Sequence, residues 1–416
     1  MTTKPAITER VRDMYTRFPY PPPAAVAGTR PISTVLDYAR HVLWPWRTDL
    51  AGLRVLDAGC GTGTAAVIIA RDFPEVEVVG IDLSETSLQH ARELAKQFNV
   101  GDNLQLRSLP IERVGELNQQ FDYIISSGVI HHLDSPDEGL RALTEVLSPS
   151  GGIFLMVYAT YGRAGVYMLQ DAMRLLGGER DFAERADMAR TVVEHLPNQH
   201  PFDPANWADI RWSGDAGVVD LLLHVRDRSY TVPQLYELLD GAGLRLARFT
   251  DPVAYDPTTY VRDPDLARRF EELDPPARAQ VAELLNGRMR KHHLFATRAS
   301  YVPVHPPVEG LVALALRPSR SPIFAWDELE EIGEEGHEEI RLKERTLSEA
   351  YSRSFDLAPW NVAVLAACDG TRTAMDIFCL PEIYPLVPGD TAEDKLATFG
   401  ELVQLLAAHE VILCEI

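Results

Sequence analysis

The stretch of sequence that decides the fold is Val55-Leu56-Asp57-Ala58-Gly59-Cys60-Gly61-Thr62-Gly63. The apolar run Leu53 to Leu56 predicts a strand, and residues Ala65 to Phe73 predict a helix after the turn. Glycines at alternate positions let the backbone bend tightly and let a ligand lie against it. The first N–H groups of a helix lack partners within it and favour a carboxylate or phosphate. This stretch therefore predicts a ligand-binding turn.

A second acidic residue points to a nucleoside ligand. Asp82 lies 19 residues after Gly63, at the end of the apolar run Val76 to Ile81, where a carboxylate can accept both ribose hydroxyls. A dinucleotide site prefers a small third residue at position 64, which is Thr64 here. S-adenosylmethionine has a cationic end that Asp57 suits. A nicotinamide-dependent oxidoreductase stays open as the alternative.

Strands and helices alternate from residue 53 to residue 157, which predicts an α/β fold with a parallel sheet covered on both faces. Further strands are expected at Leu104 to Leu106, Phe121 to Ser126 and Ile153 to Val157. Residues 1–50 form an N-terminal arm, residues 51–300 the main domain, and residues 158–240 an irregular insertion that caps the substrate. A late strand is expected at Leu244 to Phe249, and residues 262–291 have a helical pattern.

Residues 53–157 resemble the class I S-adenosylmethionine-dependent methyltransferases. The motifs that carry the resemblance are the glycine stretch, Gly80-Ile81-Asp82-Leu83-Ser84, Phe121 to Leu133 with its Ser127-Gly128-Val129-Ile130-His131-His132 ending, and Leu147-Ser148-Pro149-Ser150-Gly151-Gly152. The resemblance implies a Rossmann-like sheet of seven strands with S-adenosylmethionine as cofactor. It places the cofactor on Asp57, Gly59, Gly61, Gly63, Asp82, Leu83, Leu109 and Ser127.

One departure from the family concerns the adenine. The family often has an aspartate after the third strand, but no acid lies near Leu109, and Pro110 lacks an N–H. Adenine would then rely on apolar packing and on the N–H of Leu109 or Ile111. A non-catalytic protein that keeps the fold therefore stays open as a second alternative.

Methyl transfer is an in-line displacement that needs alignment of the acceptor and no covalent intermediate. The catalytic candidates are His131, Tyr20 and Tyr161, and the candidate substrate contacts are Tyr158, Arg163, His224, Arg226 and Arg228. The histidine pair also fits a structural turn, and Arg226 with Arg228 fits a solvated strand edge. No metal is expected, because adjacent histidines do not share a face and no H-E-x-x-H pattern occurs.

Composition limits the partners. The chain has 416 residues, with 40 basic and 61 acidic side chains and a net charge of -21, which argues against nucleic acid or an anionic membrane. Four scattered cysteines suggest reduced thiols, and no apolar leader or run of 18 apolar residues occurs. We expect a cytoplasmic enzyme, a possible homodimer, that methylates an O or N atom of a small molecule or peptide.

The last segment, residues 301–416, has 21 acidic and 8 basic residues, a net charge of -13. Residues 327–344 have helical spacing, and three helices and a final strand are expected from Trp360 onward. Residues 340–416, through the motif Trp360 to Thr373, resemble small winged-helix domains of peptide-modifying pathways, which implies a C-terminal α+β domain that recruits a peptide. A dimerisation or lid domain is the alternative.

Overall fold

The computed structural model describes residues 7–21, 34–45, 47, 49–178, 180–204, 207, 214–304, 317–320, 330–332, 339–343, 352–356, 359–408 and 412–415. The chain divides into two compact units. The first contains residues 1–28 and 50–302, and the second contains residues 29–49 and 303–416. Residues 29–49, which the sequence places in the N-terminal arm, thus belong to the second unit.

A seven-stranded sheet is the centre of the first unit. Its strands in chain order are β1 (Arg54–Ala58), β2 (Glu77–Asp82), β3 (Leu104–Ser108), β4 (Phe121–Ser127), β5 (Leu147–Tyr158), β6 (Leu244–Phe249) and β7 (Lys291–Arg298). They lie in the order β3-β2-β1-β4-β5-β7-β6, and β7 runs antiparallel to both of its neighbours. The order reverses between β1 and β4, and a ligand crevice is expected at the carboxyl ends of these strands. The predicted Rossmann-like fold is confirmed.

Helices of the first unit cover the sheet and form the cap. They are α1 (Ile7–Arg17), α3 (Thr64–Asp72), α4 (Glu85–Gln97), α5 (Pro136–Glu145), α6 (Ala164–Gly177), α7 (Phe182–Glu194), α8 (Gly214–Leu222), α9 (Val232–Gly241), α10 (Pro264–Glu271) and α11 (Pro275–Asn286). Helix α2 (Leu36–Leu43) belongs to the second unit. Several begin at side-chain caps, such as Ser84, which accepts a hydrogen bond from the N–H of Ser87. Such caps fix where the chain turns from loop to helix.

Two apolar clusters lie among the described residues of the first unit. In one cluster, sheet residues such as Ile124 and Leu155 pack against α5 and α9. The other joins Met14 of α1 to residues of α6, α7 and α8, with Phe202 and Trp207 between the helices. The insertion expected to be irregular is therefore largely helical, with a core of its own that includes the N-terminal helix.

The helical pattern predicted for residues 262–291 holds only in part. Helix α11 ends at Asn286 because Gly287 adopts a left-handed φ of 62°, and Lys291 opens β7. Residues 291–297 then pair with β5. The periodicity could not reveal this strand, because its polar start reads as a helix end.

The second unit contains α2, five short strands and three later helices among its described residues. The strands are β8 (Arg317–Arg320), β9 (Glu330–Ile332), β10 (Glu339–Lys343), β11 (Ser352–Asp356) and β12 (Ile412–Glu415), and the helices are α12 (Pro359–Ala367), α13 (Ala374–Phe378) and α14 (Ala392–Ala408). The helix predicted at residues 327–344 is wrong, because β9 and β10 pair antiparallel there. The alternation of Ile340 and Leu342 with charged residues has the two-residue period of a strand.

Among the described residues, no helix is both long and apolar enough to cross a membrane.

Candidate functional site

The glycine turn after β1 has the tight geometry that the sequence predicts. Gly59, Gly61 and Gly63 have φ values of 83°, 53° and 86°, which favour glycine. The N–H groups of Gly59 and Cys60 donate to the carbonyl of Ile81 at 2.8 and 2.9 Å. The turn is thereby fixed against the end of β2, with the N-terminus of α3 behind it.

Asp57 is the penultimate residue of β1, just before this turn. Its Oδ2 accepts a hydrogen bond from the N–H of Ala66, in the first turn of α3, at 3.1 Å. Burial raises the pKa of this carboxyl to about 7, against the hydrogen bond from Ala66, which lowers it. A cationic ligand group would favour the ionised form, so Asp57 suits the ammonium end of S-adenosylmethionine.

Asp82 ends β2 and joins the turn to α4. Its two carboxylate oxygens accept hydrogen bonds from the N–H groups of Gly61 at 2.9 Å and Ser84 at 2.8 Å. Each carboxylate oxygen has a second lone pair, so both can still accept from ribose hydroxyls. Burial raises the pKa of Asp82, while these N–H groups lower it. Leu83 follows it as a half-buried side chain.

The region after β3, where adenine is expected, differs from the sequence prediction at the backbone N–H of Leu109. The N–H of Leu109 donates to the carbonyl of Asp82 at 3.1 Å and is therefore not open to adenine. Leu109 can contact a ligand only through its half-buried side chain. Ile111 opens a 3-10 helix (Ile111–Leu117), where the first amides have no partner within the helix.

The loop after β4 lies beside the glycine turn. A Cβ on Gly59 would stand 2.5 Å from Cγ2 of Val129, so the side chain of Val129 packs directly on the backbone of Gly59. Ser127 is exposed at the end of β4, and the N–H of Gly128 donates to the carbonyl of Met156 at 3.1 Å. Contact of Ser127 with the cofactor stays a prediction.

The N-terminal arm contacts the glycine turn from the other side. The carbonyl oxygen of Tyr20 would lie 2.9 Å from a Cβ on Gly61, and the hydroxyl of Thr62 donates to the carbonyl of Pro21 at 2.9 Å. The predicted catalytic residue Tyr20 thus approaches the turn through its backbone. A catalytic role of its side chain stays a prediction.

His131 and His132 lie in a 3-10 turn after β4 and are fully or almost fully buried. The ring of His131 packs on Tyr158 at 3.9 Å between centroids, and the ring of His132 stacks on His224 at 3.8 Å. Burial lowers the pKa of all three histidines, so their rings are neutral near pH 7. The sequence candidates His131, Tyr158 and His224 are thus brought together at the ends of β4 and β5.

A hydrogen-bonded chain extends from His224 toward the cofactor side. The N–H of Arg226 donates to Nδ1 of His224 at 3.0 Å, which places the proton of the neutral ring on Nε2. That nitrogen lies 3.3 Å from the hydroxyl of Tyr15, which donates to Oδ1 of Asp220 at 2.9 Å. Burial, and after it the Asp220 carboxylate, raise the pKa of Tyr15 well above 10, and Asp82 adds to this effect. Tyr15 therefore links α1 to the cap residues Asp220 and His224.

The arginines expected to hold substrate have protein partners. Arg163 is 1% exposed, lies over the ring of Tyr158 at 3.4 Å, and pairs with Asp227 at 3.2 Å. Arg226 pairs with the carboxylate of Asp134, and Arg228 donates to the carbonyl of Asp134 at 3.0 Å. These contacts give the arginines a positioning role, while their contact with substrate stays a prediction.

Two residues of this cluster were not selected from the sequence, and one candidate lies apart from it. Asp220 and Asp227 bind Tyr15 and Arg163. The sequence points to these two residues only through the dense polar run Asp220 to Tyr230, which begins within α8. Tyr161, in contrast, is 39% exposed, whereas Tyr158 is buried. The catalytic role predicted for Tyr161 therefore has no support from burial.

Comparisons with known proteins show which family the chain is similar to. A family model described as a methyltransferase domain matches residues 49–200. An uncharacterized protein of Synechococcus sp. is 30% identical over 312 residues, which cover 71% of this chain and 72% of that protein. A ubiquinone biosynthesis O-methyltransferase of Ruegeria pomeroyi is 36% identical over 151 residues, 35% of this chain and 57% of that enzyme.

Solved structures share the fold. The structure of PKMT2 from Rickettsia typhi has a TM-score of 0.66 at 17% identity, covering 95% of this chain and 78% of that one. The complex of PKMT2 with S-adenosylhomocysteine has a TM-score of 0.63 at 18% identity, covering 92% of this chain and 76% of that one. The match to a methyltransferase domain supports S-adenosylmethionine, rather than a nicotinamide, as the cofactor. The chain therefore belongs to the S-adenosylmethionine-dependent methyltransferases.

Proposed function

We propose that this enzyme transfers a methyl group to a hydroxyl oxygen of a small molecule or peptide. The observation that carries the proposal is the chain of hydrogen bonds from Tyr15 to Asp220 and His224, next to the cofactor residues. A hydroxyl must lose its proton when it is methylated, and this chain offers a route for that proton. The similarity to O-methyltransferases supports oxygen as the accepting atom.

The cofactor residues that we propose match the groups of S-adenosylmethionine one by one. When bound, this cofactor supplies a methyl group on a cationic sulfur. Asp57 faces the ammonium, the first N–H groups of α3 face the carboxylate, and Asp82 accepts the ribose hydroxyls. Side chains at Gly59, Gly61 and Gly63 would collide with Val129, the carbonyl of Tyr20 and Ala91, so the turn that faces the cofactor requires glycine at these positions. Leu83 and Leu109 supply the apolar contacts of the adenine.

The acceptor site that we propose lies at the carboxyl ends of β4 and β5, beneath the cap. Tyr158 and the histidines His131, His132 and His224 line it, and the histidine rings are neutral in the metal-free protein. The acceptor oxygen bonds to the methyl carbon as the carbon–sulfur bond breaks, and sulfur keeps the electron pair. Tyr15 accepts the hydroxyl proton and passes its own to Asp220.

The experiment is methyl transfer by the full-length protein from labelled S-adenosylmethionine to a panel of phenols, aliphatic alcohols, carboxylates and amine-bearing peptides. We expect products methylated on hydroxyl oxygen, identified by mass spectrometry. In Tyr15→Phe the ring is kept and the hydroxyl lost, so kcat should fall by about 10²- to 10⁴-fold, the usual share of proton-transfer catalysis.

A matched substitution checks that the loss is local. Tyr236 is also a half-buried tyrosine, but it packs against the sheet cluster through α9. Tyr236→Phe should keep the activity of the parent. Methylation of amines alone, or a Tyr15→Phe variant with unchanged kcat, would contradict the proposal.

A further inference from the structure

Buried polar atoms without partners accumulate around the histidine pair. Among the described residues, both ring nitrogens of His131 and Oδ1 of Asp227 have no hydrogen-bond partner. The side chain of His131 is fully buried and that of Asp227 is 1% exposed. Buried polar groups in folded proteins are almost always satisfied. Something that is not a protein side chain should therefore complete these bonds.

The geometry of the cluster suits a metal ion. One ligand atom from each of His131, His132 and Asp227 lies within 4.8 Å of the others. Two imidazoles and one carboxylate are the donor set that zinc and related divalent transition metals bind. The expectation from the sequence was the opposite, because adjacent histidines rarely share a face. In the 3-10 turn their ring centroids lie only 4.2 Å apart.

The surrounding contacts hold two of these ligands in a metal-binding state. Nδ1 of His132 lies 2.8 Å from the carbonyl of Arg226, so this nitrogen donates and Nε2 keeps its lone pair. Oδ2 of Asp227 accepts from Gln170 at 2.9 Å and from Arg163 at 3.2 Å, which leaves Oδ1 for another partner. Such supporting hydrogen bonds are typical behind metal ligands.

A second candidate set shares His132 but is less suitable. It consists of His132, Asp220 and His224, whose ligand atoms also lie within 4.8 Å of one another. However, Nδ1 of His224 accepts the N–H of Arg226, so Nε2 carries the proton and has no lone pair for a metal. Asp220 in turn accepts from Tyr15. The first set is therefore the better site.

The buried charges permit a cation here. Asp220 and Asp227 provide two carboxylates against the single guanidinium of Arg163, a formal charge of -1. A divalent ion would change this to +1, and a metal-bound hydroxide, which zinc stabilises near neutral pH, would cancel it. The hydroxide-bound ion therefore leaves these buried charges matched.

We propose that His131, His132 and Asp227 bind one divalent transition metal ion, with zinc as the first candidate. The ion joins the loop after β4 to the cap segment that follows α8. Three protein ligands leave a coordination position for water or for an acceptor atom. This site goes beyond the proposed methyl transfer and is tested without any acceptor.

The test uses the full-length protein without an affinity tag, stripped with a chelator and titrated with Co²⁺ alone. Visible absorption reports tetrahedral cobalt, and elemental analysis after gel filtration reports bound zinc. We expect one equivalent of either metal in the parent. His131→Gln and Asp227→Asn should bind at least tenfold more weakly.

Further variants make the result specific. His224→Gln should keep the full equivalent, because His224 belongs only to the rejected set. Circular dichroism and S-adenosylhomocysteine binding verify that each variant is folded. If Asp227→Asn does not fold because Arg163 loses its partner, His131→Gln carries the test alone. No stoichiometric metal in the parent, or loss in His224→Gln but not in His131→Gln, would overturn the assignment.

Discussion

Among single residues, Asp57 makes cofactor binding depend on pH. Burial raises its pKa from 3.8 to about 7, so the carboxyl is protonated in the free protein at lower pH. The ammonium of S-adenosylmethionine favours the ionised form, and binding should therefore release a proton. From about pH 5 to pH 7 the affinity should rise by up to about tenfold per pH unit and then level off. Calorimetry in buffers of different ionisation enthalpy measures the released proton.

Asp57→Asn is the control for this pH dependence. The amide oxygen can still accept the hydrogen bond from Ala66, but the side chain no longer titrates. The variant should bind weakly and with little pH dependence. Because the raised pKa favours the protonated folded state, the stability from this carboxyl is full below pH 3.8 and declines as the pH rises to about 7. A pH dependence of binding that persists in Asp57→Asn would belong to another group.

Asp82 provides a second prediction at this scale. Its replacement by alanine removes the proposed acceptor of the ribose hydroxyls, and hydrogen bonds to a charged group contribute about 1.5–3 kcal/mol. We expect S-adenosylmethionine to bind roughly 10- to 100-fold more weakly, as measured by calorimetry. Asp82→Asn, which keeps an acceptor for the N–H of Gly61, separates loss of the ribose contact from loosening of the turn. Asp102 is exposed, so Asp102→Ala is the control and should leave the affinity unchanged. If Asp82→Ala also leaves the affinity unchanged, Asp82 does not belong to the cofactor site.

Among the elements, the N-terminal arm and the glycine turn depend on each other. A Cβ on Gly61 would lie 2.9 Å from the carbonyl oxygen of Tyr20, and the φ of 53° adds strain. Gly61→Ala should therefore displace the arm and weaken cofactor binding. Faster tryptic cleavage at Arg17, at the end of α1, measures the displacement. Gly115→Ala is the matched control, because nothing lies within 4 Å of its Cβ position, and equal cleavage of both variants would contradict the contact.

The elements also define what the sequence can predict. Strand β1, the glycine turn and α3 follow from local apolar periods and glycine spacing, and Ala374–Phe378 forms the predicted helix. The helix predicted for the acidic residues 327–344 is wrong because a run of charged residues does not distinguish the helical period from that of a strand. Pairing with β11 decides that β10 is a strand. The cluster around the histidine pair can be predicted from the sequence only in part, because His132 contacts Arg226, which is 94 residues away in the chain. Such contacts depend on tertiary packing, which no local pattern encodes.

At the scale of the whole molecule, the second unit is built from two segments that are far apart in sequence. Residues 29–49 belong with residues 303–416, although they precede the sheet. Helix α2 is apolar on its inner face, where Leu36, Tyr38, Ala39, Val42 and Leu43 are buried. A chain that ends at Val302 therefore keeps α2 but loses the rest of its unit.

This division predicts that a chain shortened at Val302 keeps cofactor binding but loses solubility. The chain ending at Val302 retains every proposed cofactor residue and should bind S-adenosylmethionine with an affinity near that of the full chain. The exposed face of α2 should make it bind hydrophobic dyes and aggregate, because burial of large apolar side chains contributes about 1.5–3 kcal/mol each. Leu36→Gln with Val42→Gln in the shortened chain should restore a monomer, measured by light scattering. If the soluble shortened chain fails to bind the cofactor, residues 303–416 contribute to the site, and the two units do not work independently.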